Sequence, residues 1–181
     1  LQLFEQINLK WDKIARITIR TQDPAVKIID KTGELHNPAD RDHCLQYMVA
    51  VALIWGELRA DHYGDDFARD PRIDELREKM HVESDEAFTE AYYDPERRAI
   101  PNAVQVFFED GTQTDEIVVE YPLGHQRRRE EALPFIETKF HKSVMTHFKP
   151  EVYTQLNELF IDHKRFVEMS VPDFMALMVK S

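Results

Sequence analysis

The sequence predicts an α+β fold in which a small antiparallel sheet is covered by helices, followed by a helical tail. Residues 102–109 and 114–121 alternate apolar and polar side chains on either side of Asp110 and Gly111, which is typical of a β-hairpin. From Glu130 onward the apolar residues take helical spacing. The helices expected there span 131–147, 150–162 and 172–179.

A first strand is expected at 14–21, where Ile17 and Ile19 alternate with arginine and threonine. Ile14 falls on the polar side of this alternation. Asp23-Pro24 is typical of a helix start, because proline is tolerated in the first helical turn, and predicts a short helix to Ile29.

A longer helix is expected to begin at Asp40 or Asp42, either of which can cap its first turn, and to end at Gly56. Its predicted apolar stripe contains Leu45, Met48, Val49, Ala52 and Leu53. Its predicted polar face, next to the positive pole of the helix, contains His43, Gln46, Tyr47 and Ala50.

Asp70-Pro71 predicts the start of another helix. Its expected buried positions are Ile73, Leu76 and Met80. A short strand is expected to follow at 81–84.

The composition restricts the kinds of partner. The chain has 23 Lys and Arg against 34 Asp and Glu, a net charge of −11, which argues against nucleic acid or an anionic membrane surface as partner. Apolar runs are too short to span a membrane. A single cysteine, Cys44, cannot form an internal disulfide, which fits a cytoplasmic protein. Because the chain does not begin with methionine, it is expected to be part of a longer protein.

The first candidate site is the polar segment 37–47. A helix start offers unpaired N–H groups to an anion, and Arg41 can hold a carboxylate through two parallel hydrogen bonds. His43 and Tyr47, four residues apart on the expected helix, would project together to transfer a proton or bind a hydroxyl, with Gln46 beside them. The alternative is a capped helix in which Arg41 pairs with Asp40 or Asp42.

The second candidate site follows the hairpin. Gly124 and His125 precede three arginines, among them Arg127 and Arg128, which could together bind a tri-anion. The alternative is a solvated basic loop balanced by Glu130 and Glu131.

No metal site or cofactor motif is predicted. His141 and His147 lack tight metal-ligand spacing. The aspartates at 61–70 lack the pattern of a calcium loop. The sequence contains neither a dinucleotide fingerprint nor a phosphate loop.

At these clusters the sequence resembles the carboxyl-terminal part of the MmgE/PrpD family, and the segment 37–47 resembles its methylcitrate branch. The segments that carry the resemblance are 29–33, 37–44, 46–48, 70–74, 76–77, 94–98, 119–122 and 124–125. Together they span most of the chain.

The resemblance implies a hydro-lyase that dehydrates 2-methylcitrate to 2-methyl-cis-aconitate in propionate breakdown, without an iron–sulfur cluster or other cofactor. It also implies an α+β lid domain at 1–130 and a helical segment at 131–181 that belongs to a larger helical domain, in an enzyme compatible with a homodimer. The main catalytic residues of the family would then lie upstream of Leu1. A related polycarboxylate lyase or isomerase and a noncatalytic binding module are the alternatives.

On this basis the sequence predicts His43, Tyr47 and His125 as catalytic residues. The predicted ligands of a small tricarboxylate are Arg41, Gln46, Arg127 and Arg128.

Overall fold

The computed structural model describes residues 1–7 and 10–179 of the chain. Contacts divide the chain into two units, Leu1–Pro122 and Leu123–Ser181. The first unit contains a sheet and helices, and the described part of the second contains only helices, so the predicted α+β class is confirmed. The division at 130 into a lid domain and a returning helical segment stays a prediction.

Among the described residues, four strands form one sheet in the first unit, in the order β2-β1-β3-β4. They are β1 (Ile14–Thr21), β2 (Met80–Ser84), β3 (Asn102–Phe108) and β4 (Ile117–Val119). β3 and β4 form the predicted antiparallel hairpin, and β1 is antiparallel to β3. β1 and β2 are parallel. The expected antiparallel sheet is therefore mixed, because a long helical crossover allows β2 to run in the same direction as β1.

Seven α-helices belong to the described part of the first unit. They are α1 (Phe4–Ile7), α2 (Asp23–Ile29), α3 (Pro38–Asp42), α4 (Leu45–Trp55), α5 (Asp65–Ala68), α6 (Pro71–Glu78) and α7 (Glu86–Tyr93). The predictions of α2 and α6 are confirmed, and Asp70 caps α6 by accepting a hydrogen bond from the Arg72 amide. Met80, predicted to be helical, begins β2 instead.

The core of the first unit lies between β1 and α4. Ile14, Ile17 and Ile19 are fully buried and share one hydrophobic cluster with Val51 and Leu53 of α4. Ile14 was expected on the polar side of the strand. The pairing of β1 with β3 shifts register between Ile14 and Arg16, and such an irregularity adds a residue that turns Ile14 to the buried face.

The start of α4 differs from the prediction. Asn37 caps a separate five-residue helix, α3, by accepting a hydrogen bond from the Asp40 amide, and His43 ends it. Cys44 is then extended and precedes α4, which begins at Leu45. Neither Asp40 nor Asp42 caps the longer helix, because Asn37 provides a cap earlier in the chain.

The end of α4 agrees with the prediction. Gly56 has a φ of 70° and ends the helix in the left-handed conformation. A Cβ atom at Gly56 would lie 2.8 Å from Cδ1 of Phe4 in α1. Glycine is therefore required here both by the backbone conformation and by close packing.

The described part of the second unit contains four α-helices after a short 3₁₀ helix at Gln126–Arg128. They are α8 (Arg129–Met145), α9 (Pro150–Ile161), α10 (His163–Glu168) and α11 (Val171–Ala176). The sequence predicted α8, α9 and α11 but not α10, which Asp162 caps by accepting a hydrogen bond from the Arg165 amide. Aromatic rings pack within this unit, with Phe160 against Phe140 and Phe166. No helix among the described residues has both the length and the apolar character to cross a membrane.

We predict that Gly56→Ala lowers the free energy of unfolding by about 2 to 3 kcal/mol, because it adds a clash with Phe4 to the cost of a left-handed alanine. Gly33→Ala is the matched control. Gly33 has a φ of 85°, but no atom would lie within 4 Å of a Cβ added there. Gly33→Ala should therefore lower the free energy of unfolding by only about 1 kcal/mol. Urea denaturation of both variants measures the difference, and equal losses would contradict the role of Phe4.

Candidate functional site

The side chain of Arg41 is buried beneath the loop that follows α4. Only 6% of it is exposed, and its Nη1 donates hydrogen bonds to the Tyr63 carbonyl at 2.8 Å and to Oδ1 of Asp65 at 2.7 Å. Its Nε is buried without a hydrogen-bond partner. The acidic partner of Arg41 is therefore Asp65, which sequence inspection missed, and neither Asp40 nor Asp42. Nothing in the local sequence marks a partner 24 positions away.

Gln46 and Tyr47, predicted to lie on a polar face next to the positive pole of the helix, are both buried in α4. The side-chain Nε2 of Gln46 donates a hydrogen bond to Oδ1 of Asp30, and its Oε1 accepts one from the backbone N–H of Lys31. These two bonds fix the chain after α2. The Tyr47 hydroxyl donates to the His62 carbonyl at 2.5 Å. Burial raises the pKa of Tyr47 above its ordinary value. Both polar groups are satisfied internally, as a buried polar group requires.

His43 lies outside α4 and its side chain is 58% exposed. Because it precedes the helix, it does not project with the buried Tyr47 as the four-residue spacing predicted. His43 Nδ1 lies 2.5 Å from Oδ1 of Asp42 and 3.1 Å from the Ala39 carbonyl. Of the predicted residues in this first segment, His43 is the one that solvent reaches most readily.

The second cluster belongs to the other unit. His125 is half-buried and precedes the 3₁₀ helix, where its Nδ1 accepts a hydrogen bond from the Arg127 amide at 3.2 Å. Arg128 pairs with Glu131, Nε to Oε2 at 2.8 Å, and this carboxylate raises the pKa of Arg128. The pairing agrees with the alternative in which acidic residues balance the basic loop. The Arg127 side chain is exposed.

The first unit also has an open recess of about 550 Å³ at the end of β2. Its lining includes Glu83, Asp85 and Glu90, and its single arginine, Arg20, is already bonded to Asp85 and Glu116. Together with Glu86, these make four carboxylates around one neutralised arginine, which does not suit an anionic ligand. Within residues 1–7 and 10–179, no group of three or more His, Cys, Asp or Glu side chains is arranged to hold a metal ion.

Comparison with known proteins identifies the family. The family model for the MmgE/PrpD C-terminal domain matches residues 1–160. The chain belongs to the MmgE/PrpD family. The resemblance found in the sequence is thereby confirmed, and the match extends from the first unit into the second.

The similar proteins are named as dehydratases. The chain is 47% identical to the 2-methylcitrate dehydratase of Escherichia coli K12, over 99% of this chain and 38% of that protein. It is 49% identical to the mitochondrial 2-methylcitrate dehydratase of Yarrowia lipolytica, over 93% of this chain and 32% of the relative. A probable 2-methylcitrate dehydratase of Saccharomyces cerevisiae is 53% identical, over 75% of this chain and 26% of that relative. The chain thus spans less than two fifths of the length of these relatives.

We predict that Tyr47→Phe lowers the free energy of unfolding by about 1 to 2 kcal/mol, because the buried His62 carbonyl loses its donor. Tyr63→Phe is the matched control. The ring of Tyr63 stacks on that of Tyr47, with 6.1 Å between the ring centroids. Tyr63→Phe should lower the free energy of unfolding by less than about 0.5 kcal/mol. Thermal or urea denaturation measures both. A Tyr47→Phe variant as stable as Tyr63→Phe would contradict a structural role for this hydroxyl.

Proposed function

We propose that this chain is the carboxyl-terminal part of a 2-methylcitrate dehydratase, a hydro-lyase that converts 2-methylcitrate to 2-methyl-cis-aconitate in propionate catabolism. The observation that carries the proposal is the 47% identity to the Escherichia coli protein of that name along 99% of the chain. An identity this high along nearly the whole chain favours a shared reaction over a reused fold alone.

The reaction removes a hydroxyl group and a proton from adjacent carbons of a tricarboxylate. It requires a base for the C–H proton, an acid for the departing hydroxyl, and cations that hold the carboxylates. The chain covers only 38% of the Escherichia coli relative. We therefore assign the base to the part of the enzyme that this chain does not cover, and assign carboxylate binding and part of the proton handling to this chain.

In this proposal Arg41, Gln46, Arg127 and Arg128 bind the substrate. The buried guanidinium of Arg41 supports the assignment, because a charge surrounded by protein acts on a carboxylate more strongly than a solvated one. Its acidic partner among the described residues, Asp65, is two thirds exposed, and a substrate carboxylate can take the place of such an exposed partner.

The proposed proton-handling and hydroxyl-binding residues are His43, Tyr47 and His125. Exposure of His43 and the polar surroundings of His125 support their assignment. Tyr47 can bind a substrate hydroxyl only if its own hydroxyl exchanges the His62 carbonyl for the ligand.

We predict that the full-length enzyme dehydrates 2-methylcitrate and that this chain by itself does not. The assay follows the ultraviolet absorbance of the conjugated product, with citrate as the comparison substrate. Activity in the isolated chain would contradict the assignment of the base to the uncovered part. A full-length enzyme that binds tricarboxylates without turnover would favour the noncatalytic alternative.

We predict that Arg41→Ala in the full-length enzyme lowers kcat/KM by about 30-fold or more, which corresponds to the roughly 2 kcal/mol of a charge-assisted pair. Arg77→Ala is the matched control, because Arg77 is also a buried arginine, with its side chain 10% exposed and bonded to Asp74 and the Gly33 carbonyl. Both variants are first compared by thermal denaturation. Unchanged kinetics in Arg41→Ala, or an equal loss in Arg77→Ala, would contradict substrate binding by Arg41.

A further inference from the structure

Asp42 and His43 form a hydrogen-bonded pair on the surface at the end of α3. His43 Nδ1 lies 2.5 Å from Oδ1 of Asp42 and 3.1 Å from the carbonyl oxygen of Ala39. The backbone contributes to this geometry, because the His43 amide donates to the Arg41 carbonyl and so fixes the last turn of the helix. Two acceptors therefore hold the imidazole at the same ring nitrogen, Nδ1.

The partners determine which ring nitrogen carries a proton. A carbonyl oxygen can only accept a hydrogen bond, and so can an ionised carboxylate. His43 Nδ1 must then be protonated whether the ring is neutral or charged. The proton that His43 gains and loses is the one on Nε2, on the opposite edge of the ring.

This arrangement separates His43 from other histidines in the described part of the chain. Nδ1 of His125 accepts from the Arg127 amide, and Nδ1 of His62 accepts from the Arg59 amide. In their neutral forms these two rings must carry the proton on Nε2. His36 is exposed, and its Nδ1 lies 4.0 Å from Oε2 of Glu34, beyond hydrogen-bond distance.

The surroundings keep the pair polar and open to solvent. The Asp42 side chain is 46% exposed and that of His43 is 58% exposed. Tyr63, on the neighbouring 3₁₀ helix Ala60–Tyr63, is the titratable group that faces Asp42 from another element; burial and then the charge of Asp42 raise the pKa of Tyr63. Arg41, one residue before Asp42, is directed to Asp65 instead.

We propose that Asp42 is a positioning residue that holds His43 with Nδ1 protonated, so that Nε2 exchanges a proton with the substrate. The inference rests on the proposed function, since it assigns a role to His43 within that reaction. Asp42 does not touch the substrate itself. It orients the ring and stabilises the charged imidazolium, as a carboxylate does for the histidine of a catalytic triad.

Charged His43 donates the Nε2 proton to the departing hydroxyl oxygen, while the electron pair of the breaking C–O bond goes to that oxygen and water leaves. The proton on the adjacent carbon goes to the base in the part of the enzyme that this chain does not cover, and the electron pair of that C–H bond forms the double bond. His43 is left neutral with its proton on Nδ1 and regains the Nε2 proton from solvent.

The experiment compares Asp42→Asn with Glu34→Gln in the full-length enzyme. Asparagine keeps the shape of the side chain but removes its charge and its preference for accepting a hydrogen bond. We expect kcat to fall at least about tenfold with KM within about twofold, because a positioned proton donor contributes roughly 100-fold or more. Glu34→Gln removes a carboxylate beside the ring of another exposed histidine, His36, and should leave both constants unchanged. Thermal denaturation verifies that both variants are folded.

A second measurement does not depend on turnover. In full-length enzyme labelled with ¹⁵N at histidine, the His43 resonance is assigned by its absence in His43→Gln. We expect neutral His43 to be protonated at Nδ1 in the wild type and to become a mixture of tautomers in Asp42→Asn. A wild-type ring protonated at Nε2, or an unchanged kcat in Asp42→Asn, would overturn the proposal. Failure of the wild type to dehydrate 2-methylcitrate would instead overturn the proposed function, while the tautomer would still test the Asp42–His43 pair.

Discussion

The burial of β1 beneath α4 is the constraint on which the rest of the first unit depends. Three isoleucines of the strand are fully excluded from solvent and share one core cluster with α4. Because α4 is buried on most of its surface, polar groups in its first turns can persist only with partners inside the protein. Gln46 and Tyr47 meet this requirement by bonding the chain after α2 and the loop at His62. Core packing and the geometry of the candidate site therefore have the same origin.

The polar residues of segment 37–47 differ in their surroundings because of this burial. Arg41 fixes the loop at Tyr63 and Asp65 from within the protein, while His43 remains on the surface with Asp42 as its partner. A rigid internal set and an exposed histidine next to it are the combination that an enzyme needs to hold a proton-transferring group in one orientation. The predicted roles in substrate binding stay predictions, but the structure now assigns each side chain a definite set of contacts.

The net charge of the chain opposes the proposed tricarboxylate substrate. With a net charge of −11, the molecule as a whole repels a tricarboxylate, and the open recess at the end of β2 is itself acidic. The proposed binding therefore requires individual arginines whose local field outweighs that background. Arg41 is buried, Arg128 is paired with Glu131, and Arg127 is exposed. The three therefore offer very different electrostatic environments to a carboxylate.

The sequence by itself determined what depends on local spacing and local caps: the first strand, the hairpin around Asp110 and Gly111, the Asp70 cap and the stop at Gly56. Its motifs also identified the MmgE/PrpD family. Tertiary structure decided the parallel pairing of β2, the separate helix before α4 and the partner of Arg41, because each depends on residues distant in sequence or on competition between caps. It also placed Gln46, Tyr47 and Ala50 in the core beside Ala52 and Leu53 of the expected apolar stripe. Because most residues of α4 are apolar, only packing against β1 and α6 selects the side that faces the core.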